Sequence, residues 1–254
     1  MLTSAQIDEF YAQGFLILKQ TFTSEEVASL RLGFERLEAR AARLAEPGVV
    51  DGALFVVERR ASGALRIERI VWCGAAEPEL LRLGRTEKIV VPAAELLGGP
   101  ELDQLINQAH IKNPGDGTTF HYHQDSYHRR YGTELFTDVN GRGSFVQALT
   151  AVDPMSAENG GLWVVPASHL GGHIPTTDGR LPEGSFDAGA AVPLTLDAGD
   201  TVLFGPFTVH GSGLNAGNTP RRVFINGFAC AGANRRDYPG AGQGFRIKAC
   251  NIAA

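Results

Sequence analysis

Apolar positions in the first hundred residues recur mostly at helical spacing. In the first such segment Ile7, Phe10 and Tyr11 form an apolar stripe, and Thr3 with Gln6 has the spacing of a capping box. A third helical segment is expected to bend or break near its Gly84 and Pro92. The predicted helices cover residues 3–13, 23–44 and roughly 77–98, and the predicted strands cover 15–18, 52–58 and 66–72, the last two joined by a turn at 61–63.

After residue 100 the pattern changes to short apolar runs separated by Gly, Pro, Asn and Asp. Runs of this length and spacing predict the strands of a sandwich or barrel. Asn159-Gly160 signals a tight turn, and the polar, Gly-rich residues 171–189 predict a long surface loop. The predicted strands are 104–112, 118–124, 144–152, 161–165, 190–196, 200–204, 207–214 and 221–230. We therefore predict one mainly β domain, 1–254, with a helical N-terminal part (1–100) packed on a β-core (101–254).

Composition and charge narrow the function classes. The chain is 43% hydrophobic with a net charge of −5, and no basic run stands out, so neither nucleic acid nor a membrane is an expected partner. No apolar run reaches transmembrane length, and the N-terminus lacks the pattern of a signal peptide. The three cysteines make no zinc pattern and fit a reduced, cytoplasmic setting. A metal site here must therefore use nitrogen and oxygen ligands.

Alternate residues of one short segment carry the side chains of a metal site. His121, His123 and Asp125 would all face one way if the segment is a strand, and His210 lies in a later apolar run, expected across the barrel. Two histidines and one carboxylate form the facial triad that binds Fe(II) and leaves coordination positions open. The alternative is that His123 and Asp125 are only a hydrogen-bonded pair, because His-x-Asp alone is common.

Arg221 adds a second feature. The segment between His210 and Arg221 is rich in turn residues, so the flanking strands could form a hairpin with Leu214 opposite Arg221. Paired residues share a face, which places Arg221 on the His210 face; a slip of one residue places Arg222 there instead. A guanidinium pairs bidentately with a carboxylate, so a buried arginine near iron predicts an anionic co-substrate such as 2-oxoglutarate.

Together these residues resemble the phytanoyl-CoA dioxygenase (PhyH) family of Fe(II)/2-oxoglutarate oxygenases, which also includes ectoine and free amino-acid hydroxylases. The resemblance covers most of the chain, and the combination of motifs is specific although no single motif is. The matching segments are IDEFYAQGFLIL (7–18), KNPGD (112–116), HQD (123–125), ENGGLWVVPASH (158–169) and LDAGDTVLF (196–204), followed by His210 and, eleven residues later, Arg221.

The resemblance implies a double-stranded β-helix, the jelly roll related to cupins, and roles for individual residues. His123, Asp125 and His210 would ligate Fe(II), and Arg221 would hold the distal carboxylate of 2-oxoglutarate. Further candidates for co-substrate contact are Lys112, Gln124 and Ser212. The implied reaction uses O2, converts 2-oxoglutarate to succinate and CO2, and hydroxylates a C–H bond. Related halogenases have a small residue in place of the carboxylate, so Asp125 predicts hydroxylation.

Residues near the metal motif are candidates for substrate contact, each with a structural alternative. His121 is either a ligand or a residue that orients one or faces substrate. Gln147 faces either a ligand or a buried partner, and Trp163 is either a substrate contact or part of the core. Arg129 is expected to be a solvated loop residue. The candidates are His121, Tyr127, His128, Gln147 and Trp163.

Three alternatives to the hydroxylase remain. A cupin-like metalloenzyme would use His121, His123 and His210 without 2-oxoglutarate, although cupins have a Glu soon after His-x-His and the nearest here is Glu134. A 2-oxoglutarate oxygenase could also desaturate, epoxidise or cyclise its substrate. A β-sandwich binding module with a degenerate site would be non-catalytic. The expected substrate is a small molecule, amino-acid-like or a natural-product intermediate, and the sequence does not specify the oligomeric state.

Overall fold

The computed structural model describes residues 1–60 and 63–250, so the predicted turn at 61–63 lies largely outside the described residues. The helices of this part are α1 (Ser4–Gln13), α2 (Ser24–Ala41), α3 (Pro78–Leu83), α4 (Glu87–Leu97) and α5 (Asp125–His128). The strands are β1 (Phe15–Leu18), β2 (Gly48–Val50), β3 (Ala53–Arg59), β4 (Leu65–Val71), β5 (Glu101–Lys112), β6 (Phe120–His123), β7 (Phe145–Ala151), β8 (Leu162–Val164), β9 (Val192–Pro193), β10 (Thr201–Phe204), β11 (His210–Ser212), β12 (Arg221–Cys230) and β13 (Phe245–Lys248).

The strands form two antiparallel sheets. The larger has the order β1-β10-β7-β12-β5-β4-β3-β2, and the smaller has the order β6-β11-β8-β9. Strand β5 pairs with β12 along one edge, while β13 and β4 share its other edge at opposite ends. The predicted architecture, mainly β with N-terminal helices, is confirmed.

The first hundred residues contribute strands as well as helices to the fold. Strand β1 pairs with β10 and β4 pairs with β5, so this part of the chain extends the larger sheet at two places. Helix α4 packs against β7 and β12. The N-terminal part is therefore built into the β-core and does not form a separate helical layer on it.

The predicted third helix is two helices. The helix is interrupted at Gly84, where an added Cβ would clash with Oδ1 of Asn226. The end of α3 and the larger sheet therefore lie too close together there for a side chain. Pro92 lies inside α4 without ending it. The chain is thus broken near Gly84 but not at Pro92; most of α4 is buried, and packing offsets the one backbone hydrogen bond that proline removes.

The predicted hairpin between β11 and β12 does not form. Strand β11 pairs with β6 and β8 in the smaller sheet, whereas β12 pairs with β5 and β7 in the larger one. The connecting segment crosses between the sheets, and Asn215 holds it by donating from Nδ2 to the carbonyl oxygens of Lys112 at 2.9 Å and Thr219 at 2.8 Å. The strands predicted at 190–196 and 207–214 shorten to β9 and β11.

None of the described helices combines the length and the apolar character that a membrane span requires.

Candidate metal centre

His123, Asp125 and His210 converge between the two sheets. His123 ends β6 and pairs directly with His210 at the start of β11, so their ring centroids lie 4.3 Å apart. Asp125 is not on the strand but is the first residue of α5. One potential ligand atom from each residue lies within 4.8 Å of the other two. His210 is thus on the neighbouring strand, not on one across the barrel as expected.

Backbone carbonyls orient both imidazoles. Nδ1 of His123 lies 2.7 Å from the carbonyl oxygen of His121, and Nδ1 of His210 lies 2.9 Å from that of Thr208. A carbonyl only accepts, so each Nδ1 must donate and each Nε2 keeps its lone pair for a metal ion. Burial, together with the neighbouring His123, lowers the pKa of His210 to about 4, so that imidazole is neutral at pH 7, as a metal ligand must be.

Asp125 supplies the anionic ligand. Its side chain is buried, and its Oδ2 has no hydrogen-bond partner among the described residues. Burial alone would raise the pKa of Asp125, but nearby His210 and Arg129 bring it below its ordinary value, so the carboxyl group is ionised. A buried, ionised oxygen without a partner is unfavourable. Together with two oriented imidazoles, it fits a divalent cation of the Fe(II) type.

Arg221 faces the same cavity as this cluster. It begins β12 opposite Lys112 of β5, is 4% exposed, and donates from Nη2 to the carbonyl oxygen of Gly160 at 2.8 Å. Its Nε has no partner among the described residues, and burial lowers its pKa to about 10. Arg222 instead forms a bidentate pair with Asp153, at 2.7 and 2.9 Å. Of the two arginines it is therefore Arg221 that faces inward, although the hairpin expected to place it there is absent.

Lys112 lies beside Arg221. Its Nζ donates to Oγ of Ser212 at 2.7 Å and to the carbonyl oxygen of Gly213 at 2.6 Å. Burial and the charge of Arg221 lower the pKa of Lys112 to about 7. Arg221 and Ser212 line one end of the cavity, and Lys112 lies behind Ser212, so an anion bound there would reduce the repulsion between the two cations.

Gln124 is fully engaged with the protein. Its Nε2 donates to the carbonyl oxygens of Gly172 at 2.9 Å and Phe207 at 2.6 Å, and its Oε1 accepts from the backbone N–H of Ile174 at 2.8 Å. The bonds to Gly172 and Ile174 tie the metal-bearing segment to the start of the loop at residues 171–189. The structure thus gives Gln124 a positioning part, and the contact with co-substrate predicted for it stays a prediction.

The cavity has a volume of about 310 Å³, and only some of the predicted substrate residues line it. His128 and Gln147 line it. His121 is exposed, and the Tyr127 hydroxyl donates to the Thr177 carbonyl oxygen at 3.2 Å, away from the cavity. Trp163 neighbours Leu162, a lining residue, and adjacent residues of a strand face opposite ways. His121, Tyr127 and Trp163 therefore lie outside the described lining.

Arg129 is the residue that sequence reasoning misjudged. It is 6% exposed and lines the cavity, so the expectation of a solvated loop residue is wrong. A signal was present, because Arg129 follows Asp125 by four residues and that spacing puts both on one side of a helical turn. The carbonyl oxygen of Gly160 accepts a hydrogen bond from Arg221, whereas the sequence predicted only a turn at this residue.

Comparisons with known proteins agree with this geometry. The family model described as phytanoyl-CoA dioxygenase (PhyH) matches residues 10–223. The ectoine dioxygenase of Bordetella parapertussis is 25% identical over 88% of this chain and 74% of its own length. The peroxisomal phytanoyl-CoA dioxygenase of Bos taurus is 25% identical over 92% of this chain and 71% of its own length.

Solved structures show the same fold. EvdO2 from Micromonospora carbonacea var. aurantiaca, complexed with 2-oxoglutarate, has a TM-score of 0.70 at 26% identity, covering 91% of this chain and 92% of that one. The epimerase SnoN, in complex with Fe3+, alpha ketoglutarate and nogalamycin RO, has a TM-score of 0.70 at 20% identity, covering 89% and 83%. The predicted double-stranded β-helix, or jelly roll, is confirmed.

Proposed function

Because this chain belongs to the phytanoyl-CoA dioxygenase family, we propose that it is an Fe(II)/2-oxoglutarate-dependent dioxygenase that hydroxylates a small molecule. The observation that carries the proposal is the placement of two oriented histidines, the buried carboxylate of Asp125 and the buried Arg221 around one cavity. The balanced reaction joins one O2, one 2-oxoglutarate and one substrate C–H bond, and it releases an alcohol, succinate and CO2.

His123, Asp125 and His210 are the residues that would hold the metal. Three protein ligands leave coordination positions for the co-substrate and O2. Iron bound there supplies the activation of O2 that an unactivated C–H bond requires.

Arg221 receives the distal carboxylate of 2-oxoglutarate in this proposal. Its unpartnered Nε and its planar fork suit a bidentate pair with a carboxylate. Lys112 adds a second positive charge when protonated, and the Ser212 hydroxyl, which accepts from Lys112, keeps its own O–H available to donate. Apolar side chains of the cavity wall lower the local dielectric constant, which strengthens these ion pairs.

The role of His121 separates this proposal from a cupin-like enzyme. The cupin alternative needs His121 as a ligand, yet its side chain is exposed and its carbonyl oxygen accepts from His123. The carboxylate Asp125 occupies the third ligand position instead.

Asp125 also bears on the type of product. A halide needs the coordination position that a carboxylate ligand occupies, so we expect an alcohol when the substrate is turned over in the presence of chloride. Mass spectrometry of the product distinguishes the outcomes: a chlorinated product would contradict the assignment, and an alkene, epoxide, ring or inverted stereocentre would identify another oxidative outcome of the same site.

Anaerobic titration tests the proposed function directly. Adding 2-oxoglutarate to the protein with Fe(II) should produce a weak visible charge-transfer band, and Asp125→Ala should need a higher Fe(II) concentration to give it. Under air, the wild-type protein should release succinate in proportion to substrate consumed. If the wild-type protein shows neither the band nor 2-oxoglutarate-dependent succinate, the proposal is wrong.

A further inference from the structure

The cavity carries more positive charge than the metal site and co-substrate require. Four arginines line it, and Asp125 is the only acidic residue in the described lining. This local excess contrasts with the net charge of −5 of the whole chain. With Asp125 assigned to the metal and Arg221 to 2-oxoglutarate, three arginines lack an assigned anion: Arg69, Arg129 and Arg236.

Two of the three have partners in the protein. Nη1 of Arg69 pairs with Glu68 at 3.1 Å, and Nη1 of Arg236 donates to the carbonyl oxygen of His128. Arg129 differs, because it is 6% exposed and neither its Nε nor its Nη1 has a partner among the described residues. Leaving charged donors buried and unpaired is costly, so such a side chain at a cavity wall points to a ligand.

Aromatic rings hold Arg129 in place. Its guanidinium carbon lies 4.8 Å from the ring centroid of Phe145 and 4.9 Å from that of Tyr238. Its backbone N–H donates to the carbonyl oxygen of Asp125 at 3.0 Å, which fixes it one helical turn beyond the metal cluster. The guanidinium is thus preorganised by cation–π contacts that leave its edge free for hydrogen bonds.

We propose that Arg129 binds an anionic group of the substrate, and that the substrate joins this group to an apolar body. This inference rests on the proposed function, which assigns the other charges of the cavity. The remaining wall supplies the apolar part of the site. Its side chains include Leu54, Val71, Ile106, Leu149, Val223 and Ile225.

Simple probes test this substrate class. Hexanoate, hexane-1-sulfonate and the neutral hexanamide are titrated calorimetrically into protein saturated with Fe(II) and 2-oxoglutarate without O2. Saturating 2-oxoglutarate keeps the probes away from Arg221, and the sulfonate is a poor iron ligand. We expect at least one anion to bind at least tenfold more tightly than hexanamide, and the preferred anion distinguishes a carboxylate substrate from a sulfonate- or phosphate-like one.

Variants identify the residue responsible. Arg129→Met keeps much of the volume against Phe145 and Tyr238, and it should lower anion affinity at least tenfold, to the level of hexanamide. Arg129→Lys keeps the charge and should restore part of the affinity. Arg130→Met is the matched control, since Arg130 is exposed and lies over the Tyr127 ring, and it should bind the anions as the wild-type protein does.

Two results would overturn the inference: equal binding of anions and amide to the wild-type protein, or unchanged anion binding by a folded Arg129→Met. Thermal melting checks the fold of each variant, and the wild-type comparison stands even if Arg129→Met does not fold. A wild-type protein that gives no charge-transfer band with Fe(II) and 2-oxoglutarate would instead contradict the proposed function, and this outcome is distinct from the two above. In that case the probes titrated into metal-free Arg221→Met still report on Arg129.

Discussion

Replacing Arg221 by Met should separate function from stability, because this arginine is poorly satisfied in the free protein. Its Nη2 has one partner, the Gly160 carbonyl oxygen, and its Nε has none among the described residues. Burial lowers its pKa to about 10, well below the ordinary value of an arginine. At about 1.36 kcal/mol per pH unit, this shift corresponds to a cost of roughly 3 kcal/mol for keeping the charge buried. The lost hydrogen bond is worth about 1.5–3 kcal/mol.

We therefore expect the free energy of unfolding of Arg221→Met to be unchanged or raised by up to about 2 kcal/mol. Affinity for 2-oxoglutarate should move the other way, because the carboxylate loses a buried, charged partner. That loss is worth about 2–5 kcal/mol. At about 1.4 kcal/mol per factor of ten, it raises the dissociation constant roughly 30- to several-thousand-fold.

The adjacent Arg222→Met is the matched control. Arg222 is paired bidentately with Asp153, so its loss should lower the free energy of unfolding by about 1–3 kcal/mol and leave 2-oxoglutarate affinity unchanged. Urea denaturation and anaerobic titration of the Fe(II) protein measure both quantities. Wild-type 2-oxoglutarate affinity in Arg221→Met, or a stability loss in that variant as large as in Arg222→Met, would refute the reasoning.

Three further predictions follow from the same contacts. Asp125→Ala should weaken Fe(II) binding roughly 100-fold or more, while the metal-free protein melts no lower than the wild type, since the substitution removes a buried carboxylate whose Oδ2 has no hydrogen-bond partner among the described residues. Iron retained after dialysis measures this, and retention at the wild-type level would contradict it. Affinity for 2-oxoglutarate should be constant below pH 7 and fall up to about tenfold per pH unit above it, because Lys112 in the ligand-free protein has a pKa of about 7 and must take up a proton to pair with the anion. Lys112→Met should flatten this pH profile, and a pH-independent affinity of the wild-type protein would refute the assignment. By the same linkage, Lys112 makes the free protein more stable as pH rises from about 7 towards 10.5, since the unfolded chain binds more protons there. Gln124→Leu should lower the free energy of unfolding by about 2–4 kcal/mol and speed hydrogen exchange at the Ile174 amide, since two hydrogen bonds to the loop and one to Phe207 are lost. Unchanged exchange at Ile174 would contradict the positioning role.

Much of the local structure was readable from the sequence because it depends on neighbours a few residues apart. A capping box begins α1 where the spacing of Thr3 and Gln6 predicts it. Most strands of the β-core lie within a few residues of their predicted bounds. The helix is not broken at Pro92, because burial there outweighs a local preference.

The chemistry of the metal centre was also readable, because it depends on residue type. Two histidines and an aspartate in this pattern already indicate a nitrogen- and oxygen-ligated metal, and the motif combination indicated the family. The sequence also limited the arginine that faces the site to Arg221 or Arg222, because adjacent residues of a strand face opposite sides of the sheet. This holds even though the assumed hairpin is absent.

The partners of each strand were decided only by the tertiary structure. The sequence placed His210 on a distant strand, whereas β11 lies directly beside β6 and brings His210 next to His123. Arg129 looks like a loop residue in the chain, yet Phe145 and Tyr238, from distant segments, enclose it. Periodicity determines which face a side chain takes, but strand pairing and burial depend on contacts between residues far apart in the chain, and these form only when the two sheets close on one another.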